Sequence, residues 1–191
     1  MASILQVEQI QGPTSGANAN TIEIPTGQTL NVNGTLTGDG SNLTGIDIPT
    51  VGYGTFQANF TSEIVISNTT WTKIAFDTSV IDTDSLYDTS NYRYTPDVAG
   101  VYYINSFVQI QGWISTSTAC LMEIRKNGSR HKQHIHVPNT SEYPTVETTA
   151  LVDMNGTTDY IEIYIYQSSG GVKSIFANRE SSFEGYLVRA T

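Results

Sequence analysis

From residue 54 to the C-terminus, apolar and polar residues alternate with a period of two in one run after another, and this period is that of a strand with its successive side chains on opposite faces. The clearest run is Tyr160-Ile161-Glu162-Ile163-Tyr164-Ile165-Tyr166. Its isoleucines belong inside a sandwich, and its tyrosines with Glu162 belong outside. The same reading predicts strands over 54–58, 63–66, 72–77, 92–95, 101–111, 118–126, 130–137, 145–152, 160–167 and 183–189. Asn127-Gly128 stands between two of these runs, where a tight primed turn needs positive φ, and Asn155-Gly156 separates another pair. No stretch sustains helical spacing. About ten short strands punctuated by turns predict an all-β antiparallel sandwich or jelly roll.

The pattern changes before Gly52. Residues 21–48 offer only scattered small apolar positions, among them Ile22, Ile24, Leu30, Val32, Leu36, Leu43, Ile46 and Ile48. Turn signals such as Pro25-Thr26-Gly27, Asn33-Gly34 and Gly38-Asp39-Gly40 interrupt them. Strands this short bury too little to offset an ordering cost of about 1–2 kcal/mol per residue. Two readings follow: a β-stalk built from three parallel chains, or a disordered linker. The expected division is an attachment strand and stalk over 1–50 and a compact head over 51–191.

Composition narrows the function classes. Only 14% of the residues are charged, and the net charge is −9. An acidic chain without a Lys/Arg cluster has few counterions to release from a phosphate backbone, so nucleic acid is set aside as a partner. Cys120, the single cysteine, lies in a strand-like run and reads as a small buried hydrophobe. The N-terminus lacks the basic and apolar regions of a signal peptide. No apolar run approaches the roughly 20 residues that span a bilayer, and membrane insertion is not expected.

Several segments resemble the globular head of the complement recognition protein, within the tumour-necrosis-factor-like (TNF-like) jelly-roll superfamily. They are Tyr53-Gly54-Thr55-Phe56-Gln57-Ala58, Trp71-Thr72-Lys73-Ile74-Ala75-Phe76-Asp77, the long run from Tyr92 through Pro96 and Gly100 to Ile104, Arg125-Lys126-Asn127-Gly128, and Phe183-Glu184-Gly185-Tyr186-Leu187. In this reading Gly100 permits a turn of unusual φ, and Gly185 makes room for a neighbour across the sheet. The resemblance implies a ten-stranded jelly roll assembled as a tight homotrimer, though not complement activity, because one fold hosts many functions. The first part is similar to the start of bacteriophage tail-fibre and other virion proteins, through Ser3-Ile4-Leu5-Gln6-Val7-Glu8-Gln9-Ile10 and the Gly27–Gly34 and Gly38–Ile46 segments. That similarity implies a virion location, with the N-terminus held by other virion proteins and the head turned to a glycan or protein of the host surface. A decoration or cement protein and a glycan-cleaving fibre are the alternatives.

Candidate chemistry is sparse. His131, His134 and His136 fall in one run, and His134 and His136 share a strand face. On a threefold axis such pairs would supply enough nitrogens for an octahedral transition metal. The resemblance instead puts this strand in the sheet away from the axis, as a solvated pair. Asp77, Asp82, Asp84 and Asp88 crowd one loop without the cadence of a calcium loop. Nucleophile-elbow, phosphate-loop and zinc-helix motifs are missing, so neither an enzyme nor a cofactor is expected. Trp113 and Tyr143 are considered for sugar stacking, with packing at a strand end the stronger reading for Trp113. The outward tyrosines Tyr160, Tyr164 and Tyr166 are candidates for the trimer interface. Recognition is expected in loops 79–91, 138–144 and 168–174.

Overall fold

Alternating residues can bury one face only by packing two sheets together, and that is the arrangement found in the computed structural model, which describes residues 54–113, 118–138, 143–177 and 181–191. The expected attachment strand and stalk, and their boundary with the head, lie outside the described residues. The strands are β1 (Phe56–Asn59), β2 (Ile64–Ile66), β3 (Thr72–Lys73), β4 (Thr78–Asp82), β5 (Tyr87–Asp88), β6 (Arg93–Tyr94), β7 (Ala99–Gln111), β8 (Cys120–Lys126), β9 (Ser129–His136), β10 (Thr145–Asn155), β11 (Ile161–Gln167), β12 (Lys173–Ile175) and β13 (Ser181–Ala190). No helix occurs among the described residues.

The front sheet runs β2-β12-β7-β13-β1-β4, with β10 also paired to β7. The back sheet runs β5-β6-β11-β8-β9, with β3 also on β11. All these pairings are antiparallel. Consecutive strands often lie in different sheets, as a jelly roll requires. Each sheet therefore ends on a long strand with one unpaired edge: β10 in front and β9 behind.

Between the sheets lie Ile104, Val108, Ile110, Ile124, Ile161, Ile163, Ile165 and Phe183, all fully buried. Phe56 anchors one end, stacked on Tyr94 at 4.1 Å and edge-on to Phe183 at 4.9 Å. Buried phenols need partners. Tyr94 donates to the Gly54 carbonyl (2.7 Å) and Tyr87 to the Phe76 carbonyl (2.9 Å), and desolvation raises the pKa of both.

Two expectations change here. Gly100 is no turn residue: it sits within β7, and an added Cβ would lie 2.3 Å from the Arg189 carbonyl oxygen, so its role is close strand approach. Residues 79–91 are no simple loop either. They contain most of β4, which pairs with β1 across a bulge at Gln57/Ala58, and the whole of β5. The Asn127-Gly128 turn does join β8 to β9, with φ of 53° and 76°.

Candidate outer-face site

The outward rows of the two sheets differ in chemistry. On the back sheet Tyr164 and Tyr166 project outward from β11 and Tyr160 immediately precedes it, each half-buried by side chains of its own chain. The Arg125 guanidinium lies 3.9 Å from the Tyr164 ring centre, Arg93 lies 4.8 Å from that of Tyr160, and Trp71 packs on Tyr166 at 5.4 Å. Desolvation raises the Tyr164 pKa, with Glu162 adding to the effect. Carboxylates and cations alternate beneath: Lys73 pairs with Glu162, and Arg125 Nε donates to Glu123 at 2.7 Å. Glu123 and Glu162 are buried and charge-paired, which meets the condition for burying an ion.

The front sheet's outward face is different. Tyr186 of β13 lies opposite Tyr103 of β7, and Tyr103 opposite Leu151 of β10, which makes one apolar row across three strands. Leu151 is 61% exposed and Tyr186 44%. Val188 and Ile81 add exposed apolar surface, and a shallow hollow of about 180 Å³ opens beside Ile81, Tyr103 and Tyr186. Next to this row runs a polar one. Gln57, Asn105 and Ser182 all donate to the Glu184 carboxylate, at 2.9, 3.4 and 3.0 Å, and Thr149 donates to Asn105 at 2.8 Å.

The histidines fall on edge strand β9. His134 and His136 stand opposite Met122 and Cys120, so the pair shares one face of that edge strand, with His134 exposed and His136 half-buried. No group of three or more His, Cys, Asp or Glu side chains gathers to hold a metal among the described residues. In the acidic loop, Asp82 accepts from the Leu86 and Tyr87 amides, Asp84 from the Gly54 amide, and Asp88 from Ser90 and Asn91. Asp82 and Asp88 cap turns, while Asp84 ties the loop to the start of the domain. Hydrogen bonding by Asn91 holds the Asp88 pKa below the usual range. Trp113 is 1% exposed and packs in the core, whereas Tyr143 is exposed beside Phe176. Cys120 is buried, and burial pushes its thiol pKa up to about 12.

The model of one known family, the C1q domain, matches residues 55–188. The chain belongs to the C1q domain family. Solved structures share the fold. The globular domain of the zebrafish complement 1qA protein is 14% identical, with a TM-score of 0.51 over 72% of this chain and 99% of that one. A crystal structure of murine APRIL is 10% identical (TM-score 0.51, 70% and 96% covered). The Eiger TNF of S. frugiperda is 9% identical (TM-score 0.52, 72% and 95% covered). No curated protein matches the chain. C1q and TNF-like domains are generally non-enzymatic ligand-binding domains, and they usually form homotrimers. Within that family frame the Tyr103–Tyr186–Leu151 row is the feature that sequence reading misses. Tyr102 and Tyr103 are adjacent and equally aromatic, and only the register separates the buried one from the outward one.

Proposed function

We propose that the chain is the homotrimeric, ligand-binding head of a bacteriophage fibre, anchored to the particle through residues 1–50 and turned toward the host surface. The observation that carries the trimer is the apolar row of Tyr103, Tyr186 and Leu151 on the outward face of the front sheet, which monomeric surfaces seldom leave uncovered. Aromatic residues supply large contact areas at low entropic cost, and the Glu184 hydrogen-bond belt beside them supplies register. The virion context rests on the N-terminal similarity to phage fibre proteins, and the non-enzymatic reading on the absence of catalytic motifs from the sequence together with the family. Three heads on one axis multiply weak single-site contacts.

The test is adsorption of phage carrying the full chain, compared with phage carrying a chain lacking residues 1–50, beside a hydrolysis assay on host polysaccharide. The expected outcome is loss of the truncated chain from the particle, reduced adsorption and no released sugar. Unchanged adsorption by particles without the protein would favour a decoration role, and released sugar would favour a glycan-cleaving fibre.

A further inference from the structure

Away from its axis, a threefold contact cannot pair a patch with itself. A twofold axis sets the same surface against its own copy, whereas in a three-membered ring one part of each subunit meets a different part of the next. The outward face of the front sheet therefore needs two unlike halves, and it carries them at its two ends. One end is a hollow of about 180 Å³ bounded by Phe56, Gln57, Ile81, Tyr103, Glu184 and Tyr186. An apolar cavity of about 150 Å³ admits a benzene-sized group, so this one has room for a leucine side chain. The other end is a knob. Leu151 stands on edge strand β10, 61% exposed, and is the most exposed member of its row. Strands β7 and β13 separate β10 from β1, roughly 14 Å at the usual strand spacing, so Leu151 cannot fill the hollow of its own chain.

Charge divides in the same way. Glu184 lines the hollow, and the side chains that donate to it, Gln57, Asn105 and Ser182, are all neutral. Among the described residues it holds no ion pair. Covering this face withdraws the carboxylate from water, which is costly unless an opposite charge arrives with the cover. The β10 edge brings one, because Lys132 lines the same surface depression as Leu151. That edge is also held in shape: Nε2 of His131 lies 3.1 Å from the Leu151 carbonyl, and Lys126 Nζ donates to the Asp153 carbonyl at 2.6 Å. A braced edge loses little freedom on docking.

We infer that each front face receives the β9–β10 edge of a second copy of the chain, with that copy's Leu151 seated in the hollow and its Lys132 paired to Glu184. Repeated three times, this head-to-tail contact closes a ring, and it covers the unpaired edge of β10 as well as the apolar row. The inference rests on the reading of the chain as a trimer and deepens it by naming the part of the partner copy that completes each hollow.

The test treats the purified full chain with a short bismaleimide. Cys120 is buried, so added thiols are what the reagent meets. A chain carrying both Leu151→Cys and Ile81→Cys is expected to give covalent dimers and trimers on a denaturing gel, and a chain carrying either change alone is expected to run there as a monomer. Cross-linking through Leu151→Cys alone would bring the three edges together on the axis and overturn the assignment. A second measurement reads the charge pair. Lys132→Glu sets two carboxylates against each other and is expected to weaken association at least about tenfold on dilution, an effect that largely disappears in a Glu184→Gln chain. Equal weakening in both backgrounds would overturn the pairing. Light scattering on the same samples separates this inference from the reading beneath it. A trimer that the double-cysteine chain fails to cross-link defeats the edge-to-face contact alone, whereas a monomer at every concentration defeats the trimer and the contact with it.

Discussion

At the scale of residues, the tightest polar knot joins two turns that the sequence marks only by Asn-Gly pairs. Asp159 accepts from Asn127 Nδ2 (2.7 Å) and from the Asn155 amide (2.9 Å), with Lys126 Nζ at 2.8 Å. Asn155 Oδ1 in turn accepts the amides of Thr157, Thr158 and Asp159. The side-chain hydrogen bond from Lys126, followed by that from Asn127, lowers the Asp159 pKa in the folded protein. With the folded value depressed, the carboxylate stabilises the protein at pH above its unfolded value of about 3.9 and loses that contribution as pH falls through the folded value. Asp159→Asn is therefore expected to cost about 1–3 kcal/mol at neutral pH, because donors lose their acceptor. Urea unfolding of both proteins across pH should show this gap closing on acidification. A pH-independent gap would remove the electrostatic explanation. The two Asn-Gly pairs are legible in the sequence as turns, but Asp159 as their joint acceptor is not, since only the fold brings residues 127 and 155 together.

Among the elements, every long strand is legible, and so are the short β1, β2, β3 and β6, whereas β4, β5 and β12 are not. β7, β8, β9, β10, β11 and β13 each hold seven or more residues, so their alternation shows through. β4, β5 and β12 hold five, two and three residues and are held by partners rather than by their own pattern. The same physics hides the candidate interface, because outward residues of a half-buried strand look alike until the register is known. Tyr164 rests under Arg125 of its own chain, whereas Tyr186, packed on the half-buried Tyr103, presents exposed ring surface. Tyr186→Glu would place a charge in an apolar contact and is expected to reduce the assembly to monomers that remain folded by circular dichroism. Tyr164→Ala is expected to leave the assembly intact and cost about 0.5–2 kcal/mol through the lost cation–π contact. Dissociation by Tyr164→Ala, with Tyr186→Glu still assembled, would move the interface to the back sheet. Sedimentation velocity reads both.

For the whole molecule, the ordered sequence matches between residues 53 and 190 suffice for the fold, because each sits at a strand or turn that the jelly roll needs. They do not specify which edges meet: β9 and β10 belong to different sheets, and only the fold brings His131 to the Leu151 carbonyl. The proposed assembly of this C1q-family chain is a trimer closed through its front sheets. Light scattering coupled to size-exclusion chromatography of the full chain reads its mass in solution. The expected result is a single species of three times the 20.9 kDa chain mass, unchanged on dilution. A stable folded species of 20.9 kDa would contradict it.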